Sequence, residues 1–187
     1  VRKLVFIPYA GVTFSYDEYT ASVQKALGKH IKVTGIHSVK NKLKLIETAD
    51  CLAVGGGNTF HLLAKMQEHE LLPIIRRQVE KGLSYIGWSA GSNVACPTIM
   101  TTNDMPIVQP QSFNALGLTH FQINAHYTEK LIEGHGGESR RQRLDEFLEA
   151  NKRMPVVGLP EGKLLELEKG NWYLKGRESE PTYLFRY

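Results

Sequence analysis

The stretch Gly87-Trp88-Ser89-Ala90-Gly91 lies at the end of the apolar run Leu83–Trp88, "LSYIGW", and leads into "AGSNVA". An apolar run of that length reads as a strand and the segment after it as a helix start. Ser89 therefore sits in the strand, turn and helix setting of a nucleophile elbow, where a glycine on each side lets a strained backbone expose the hydroxyl. A plain turn serine would need none of this, and Ser84 and Ser92 lack the setting. A strand that feeds a helix in this way belongs to an α/β sheet.

Working outward, the same rhythm recurs. "KLVFIP" reads as a strand, followed by a helix opened by the capping box Ser15-x-x-Glu18; "IKVTGI" is a strand, "KLKLIETA" an amphipathic stretch and "CLAV" a strand. This is the βαβ order of a parallel sheet. A helix is expected from about Thr59, capped by Asn58, and another from Pro73 to a stop at Gly82. "HFQIN" and "PVVGL" read as strands either side of the charged helix "RRQRLDEFLEA". The tail "KLLELEKGNWYLKG" reads as a hairpin turning at Lys169 and Gly170, with a last strand "TYLF".

The 187 residues, 42% of them hydrophobic, suffice for one sizeable core, and no linker, repeat or low-complexity tract divides them. A formal charge of +4 with no run of five like charges gives little support to nucleic-acid binding and fits better with a small anionic substrate. Cys51 and Cys96 sit in or beside apolar segments and show no zinc-type spacing, which points to reduced thiols in the cytosol. No apolar run approaches the ~20 residues of a membrane span, and the apolar part of the opening is too short for a signal peptide. The chain begins with Val1, not Met, so the expectation is that the native N-terminus is not represented.

In open α/β sheets the working groups gather at the carboxyl ends of the strands. "CLAV" runs into Gly55-Gly56-Gly57-Asn58, "LSYIGW" into Ser89, "HFQIN" into Ala125 and His126, and "PVVGL" into Pro160 and Glu161. A serine needs a base to become a nucleophile, and of seven histidines only His126 follows a strand end beside small residues; His30, His37, His61, His69, His120 and His135 read as ordinary solvated or satisfied side chains. The imidazole needs a carboxylate to fix its tautomer. Glu161 in "LPEG" is the favoured partner, and Asp104 in "TTNDMP", which could also simply shape a turn, is its rival. "GGGNTF" fails the dinucleotide pattern because Phe60 stands at the last glycine position, and no Walker lysine follows. Its glycines suit an oxyanion hole made of the N–H groups of Gly57 and Ala90, with a simple strand-to-helix turn as the alternative. Arg140, Arg141 and Arg143 form either a solvated face or the source of one guanidinium fork for a substrate carboxylate.

Taken in order, "FIPYAGVT", "DEYT", "GGGNTF", "YIGWSAG", "TTNDMPIV", "QINAHY", "GHGGESRRQR" and "GLPEG" closely resemble the peptidase E family, the α-aspartyl dipeptidases among the serine peptidases. The resemblance implies a doubly wound, mostly parallel α/β fold akin to the class I glutamine amidotransferase domain, here with a C-terminal β-hairpin. It implies one hydrolytic domain over residues 1–187 and a cytoplasmic enzyme, monomeric or homodimeric, that needs no metal or organic cofactor. Ser89, His126 and Glu161 would form the triad, with Asp104 as the acid also considered; Gly57 and Ala90 would hold the oxyanion, and Arg140 would read the carboxylate of an N-terminal aspartate. The substrate would be an Asp-X dipeptide, with no nucleic-acid or membrane partner. The family commonly has a strand and helix before this chain's start, a short tail beyond its end, and proline where Ala125 stands. Other readings are a cyanophycinase-like hydrolase of aspartyl bonds in a polymer and a non-catalytic ligand-sensing module; a serine at the elbow disfavours an amidotransferase.

Overall fold

The structure, a computed structural model, describes residues 2–130, 136–176 and 181–187. His135 lies outside them. In chain order β1 (Lys3–Ile7) is followed by α1 (Tyr16–Leu27), β2 (Lys32–Gly35), α2 (Lys42–Glu47), β3 (Cys51–Val54), α3 (Thr59–Glu68), α4 (Leu71–Glu80), β4 (Ser84–Gly87) and α5 (Ala90–Ala95). Then come β5 (Gln122–Ala125), α6 (Arg140–Ala150), β6 (Val156–Leu159), β7 (Lys163–Glu168), β8 (Asn171–Gly176) and β9 (Tyr183–Phe185).

Local chemistry accounts for most of these boundaries. The expected capping box opens α1: Glu18 N–H donates to Ser15 Oγ and Ser15 N–H to Glu18 Oε2, both at 3.1 Å. A second box at Ser139 and Gln142 opens α6. Helix α4 begins at Leu71, earlier than the Pro73 start expected from sequence. A proline lacks only an N–H that the first helical turn leaves unpaired anyway, so Pro73 is accommodated inside that turn.

Strands β2, β1, β3 and β4 pair in that order, all parallel. Their register puts Leu4, Phe6, Cys51 and Ala53 on one face, against Tyr19 and Val23 of α1. Val5, Ile7, Leu52 and Val54 face the other way, into a larger core with Leu62, Leu63 and Met66 of α3 and Ile74 and Ile75 of α4. Helices thus cover both faces, as in a doubly wound sheet.

Strands β5, β6 and β9 form a second sheet in that order, with β5 and β6 parallel and β9 antiparallel, while β7 and β8 pair only with each other. It is covered by Leu144 and Leu148 of α6 on one side. On the other lies the β7–β8 hairpin, whose Trp172 ring meets Phe121 edge-on at 5.0 Å. The hairpin turns where expected, at Lys169 (φ 51°) and Gly170 (φ 82°), the paired positive values of a type I′ turn.

Strand β5 does not pair with β4, because its free edge is already occupied. Ile123 N–H donates to Cys96 Sγ at 3.2 Å, and the carbonyls of Ile123 and Ala125 accept from Thr101 Oγ1 and Asn103 Nδ2, each at 2.9 Å. Helix α5 packs against β3, β4 and β5 and so joins the two sheets. Among the described residues no helix is long and apolar enough to cross a membrane.

Candidate active site

The elbow is built by exclusion of side chains. A Cβ on Gly87 would collide with the Gly91 carbonyl, and one on Gly91 with the Val54 carbonyl of β3, so α5 can approach the strands only with glycine at both positions. The turn is braced by Tyr85 Oη donating to Gly91 O at 2.6 Å and Ser92 Oγ donating to Gly87 O at 3.0 Å. Ser89, at the N-cap of α5, has φ 53° and ψ −114°. Such a conformation costs a non-glycine residue about 1–3 kcal/mol and persists only where the surroundings impose it.

The glycine loop after β3 lies directly against this serine: a Cβ on Gly56 would sit 2.9 Å from Ser89 Cβ. Tyr19 Oη donates to Gly56 O at 3.2 Å, Gly55 N–H to Ile7 O at 3.1 Å and Asn58 N–H to Ala10 O at 2.8 Å, so the loop is held along its length. Gly57 takes φ 134° with its α-carbon pressed on the Ala10 carbonyl, a position no L side chain can occupy. Neither Gly57 N–H nor Ala90 N–H has an acceptor among the described residues. Ala90 follows Ser89 in the chain and Gly57 follows the Gly56 that packs on it, and unpaired N–H groups are the kind of donor that an oxyanion requires.

His126 follows β5 directly and also has a positive φ, 57°. The β5–β6 register pairs Ala125 with Leu159, and Tyr127 N–H donates to Leu159 O at 3.1 Å, so the residues just beyond both strands meet. There Glu161 Oε1 is hydrogen-bonded to His126 Nδ1, which leaves Nε2 available to a reacting group. The side chains are 45% and 79% exposed, so a substrate that covers them would strengthen the pairing. Ser89 Oγ and His126 Nε2 are not hydrogen-bonded to each other.

Asp104 lies elsewhere. Its Oδ2 accepts from Thr59 N–H at 2.8 Å, Thr59 Oγ1 at 2.5 Å and Thr102 Oγ1 at 3.1 Å. Asn93 Nδ2 of α5 donates to the same two threonine hydroxyls, at 3.3 and 3.2 Å. Sequence reasoning missed Thr59, Asn93 and Thr102. The available signal was an asparagine within the short apolar helix "AGSNVA", which implies a polar partner inside the fold.

Of the three arginines, Arg140 turns inward: Nη1 donates to the carbonyls of His126 and, at 3.3 Å, Ala125. It has no carboxylate partner among the described residues, and burial, then the neighbouring Arg143, lowers its pKa from the ordinary guanidinium value. Arg141 pairs with Glu129 at 3.3 Å and Arg143 with Glu138 at 3.8 Å, both on the exposed side. Among the described residues no three His, Cys, Asp or Glu side chains are grouped to hold a metal ion.

A doubly wound α/β scaffold carrying a strained serine at a strand-to-helix turn, with a histidine–carboxylate pair at a neighbouring strand end, has the makings of a serine-type hydrolase. The sequence matches the family model of Peptidase family S51 over residues 1–174. It is 50% identical over 186 residues to the Peptidase E proteins of Escherichia coli O6:K15:H31 and of the K12 strain DH10B, an overlap covering 99% of this chain and 80% of theirs. The crystal structure of a Listeria monocytogenes EGD-e protein shares the fold with a TM-score of 0.68, at 22% identity, over 95% of this chain and 87% of that one. A peptidase from an acI-B1 actinobacterium does so with a TM-score of 0.67, at 17% identity, over 98% and 80%. The chain belongs to peptidase family S51 and is a peptidase.

Proposed function

We propose that this peptidase is a cytoplasmic serine exopeptidase that cleaves dipeptides with an N-terminal aspartate, and that residues 1–187 act as one hydrolytic domain, monomeric or homodimeric. The observation that carries the specificity is Arg140, a half-buried guanidinium that has no carboxylate partner among the described residues and is bound to the backbone of His126. A desolvated cation with spare donors favours an anionic ligand, and its planar fork suits a carboxylate.

In the proposed reaction Ser89 Oγ attacks the scissile carbonyl carbon while its proton passes to His126 Nε2. The N–H groups of Gly57 and Ala90 take the charge on the oxygen, and Glu161 holds the imidazole tautomer and supports the imidazolium. The C–N bond breaks as His126 gives the proton to the leaving nitrogen. Water, deprotonated by His126, then attacks the acyl-enzyme, releasing aspartate and restoring Ser89.

A hydrolysis panel of Asp-X, Glu-X, Asn-X and isoaspartyl dipeptides tests this reading, with turnover expected only for Asp-X. Glutamate places its charge one methylene too deep and asparagine leaves the arginine unpaired, so discrimination of roughly 10⁴ is expected. Arg140→Met should lower kcat/KM for Asp-X by about 2–5 kcal/mol and erase the preference over Asn-X. If the activity falls equally for both substrates, Arg140 only holds the His126 turn and the aspartate is read elsewhere.

A further inference from the structure

The segment Thr101–Asp104 touches two parts of the site at once, through alternate side chains. Thr101 and Asn103 bond to β5: Thr101 Oγ1 donates to Ile123 O and Asn103 Nδ2 to Ala125 O, and Asn124 Nδ2 returns bonds to Thr101 O at 2.8 Å and Asn103 Oδ1 at 3.0 Å. Thr102 and Asp104 point the other way, to the first residue of α3. There Thr59, fully buried, places both its N–H and its hydroxyl on Asp104 Oδ2. Asn93 ties the same cluster to the elbow helix, and Asn58 Nδ2 donates to Met105 O at 2.8 Å. One short segment therefore ties the strand that leads into His126 to the helix start that follows the Gly57 loop.

We infer that Asp104 is a positioning residue for catalysis, which fixes the Gly57 N–H against Ser89 by anchoring the start of α3 two residues further on; this rests on the serine-hydrolase reading of the site. The chemistry suits the role. The first N–H groups of a helix have no partner within it and carry partial positive charge, and a carboxylate there is the strongest available anchor. The anchor is specific, because three donors converge on a single oxygen of Asp104. Without it the Gly55–Asn58 loop keeps its contacts to Ile7, Ala10 and Tyr19 and Asn58 still caps α3, but Thr59, the residue directly after the loop, loses its anchor. An oxyanion donor displaced by a fraction of an ångström stabilises the transition state less and leaves ground-state binding unchanged.

The test compares Asp104→Ala with Asp104→Asn. An asparagine retains one oxygen at the Oδ2 position and can accept the Thr59 N–H, whereas alanine cannot. Asp104→Ala should lower kcat about 10- to 100-fold, short of the ~10²–10³ lost when an oxyanion donor is removed outright, with KM within about two-fold of wild type. Asp104→Asn should recover to within about five-fold of wild type, on the premise that most of the effect is geometric. The limb of the pH–rate profile that reports the histidine should not move in either variant.

Labelling of Ser89 by a fluorophosphonate, which needs the oxyanion donors but no particular dipeptide, should slow in Asp104→Ala in step with kcat. Two results would overturn the inference. If Asp104→Asn is as damaging as Asp104→Ala and the histidine limb shifts, Asp104 is the acid of the triad. If both variants keep wild-type kcat and labelling per folded molecule while their melting temperature drops, Asp104 serves stability alone. Wild-type protein that labels at Ser89 yet cleaves no Asp-X dipeptide would defeat the proposed substrate, and the labelling comparison would still decide the role of Asp104.

Discussion

Ser89 and His126 both hold positive φ angles although neither is glycine, and both stand one or two residues past the end of a strand. Strain at two such positions on one rim of the sheets is most simply explained by the direction in which their side chains must point. Glu161 is under no such strain; it reaches His126 because β5 and β6 end in register. If it sets the imidazole tautomer, Glu161→Gln should lower kcat by about 10² to 10⁴ with little change in KM, since the amide can present an N–H to Nδ1 and so favour the wrong tautomer. Steady-state kinetics on an Asp-X dipeptide measure this. A loss of less than about three-fold would mean that the exposed pair contributes no more than an ordinary surface contact.

At the scale of elements, the site depends on how closely α5 and the glycine loop approach strands β1 and β3. Gly91 has no space for a β-carbon because the Val54 carbonyl occupies it. Gly91→Ala should therefore push α5 away from β3, destabilising the fold by about 1–3 kcal/mol as overpacking does and removing activity by shifting Ala90 N–H with it. Urea titration gives the first quantity and turnover the second. A variant within about 0.5 kcal/mol of wild type, the range of neutral surface changes, would show that the elbow is looser than its packing implies. Gly82, by contrast, has nothing within reach of an added β-carbon, so only its backbone angle would oppose substitution there.

For the whole molecule, the question is whether two sheets that share no strand pairing behave as one unit. Cys51 lies in β3 of the first sheet, and Cys96 binds the N–H of Ile123 in the second. Both are buried; burial raises the Cys51 thiol pKa and pushes that of Cys96 up to about 12. Neither should react with iodoacetamide at pH 8 until the structure opens. Because α5 packs against both sheets, the two thiols should be exposed by the same opening, with protection free energies that agree within about 0.5 kcal/mol. Mass spectrometry of partly labelled protein reads each site separately. Markedly faster labelling at one thiol would mean that the halves open independently and would defeat the reading of residues 1–187 as one domain.

The sequence by itself determined what depends on neighbours along the chain. The alternation of apolar runs and capped helices defines the parallel α/β class, and the start of α1, the Lys169–Gly170 turn and the elbow around Ser89 follow from local backbone preferences. Ser89, His126, Glu161 and the glycine loop were legible for the same reason: each comes just after a strand, so order along the chain predicts position at the sheet's carboxyl edge. Tertiary structure alone decided which groups meet. The sequence favours Glu161 over Asp104 only because it follows a strand; the β5–β6 register, a pairing between segments more than thirty residues apart, is what brings Glu161 to His126. Likewise no local pattern separates Arg140 from Arg141 and Arg143; the way α6 packs turns the first toward the His126 turn and leaves the others in solvent. Nor could the sequence foresee that Thr101–Asp104 would occupy the free edge of β5, because edge pairing is settled by which donors and acceptors the folded chain brings within about 3 Å of one another.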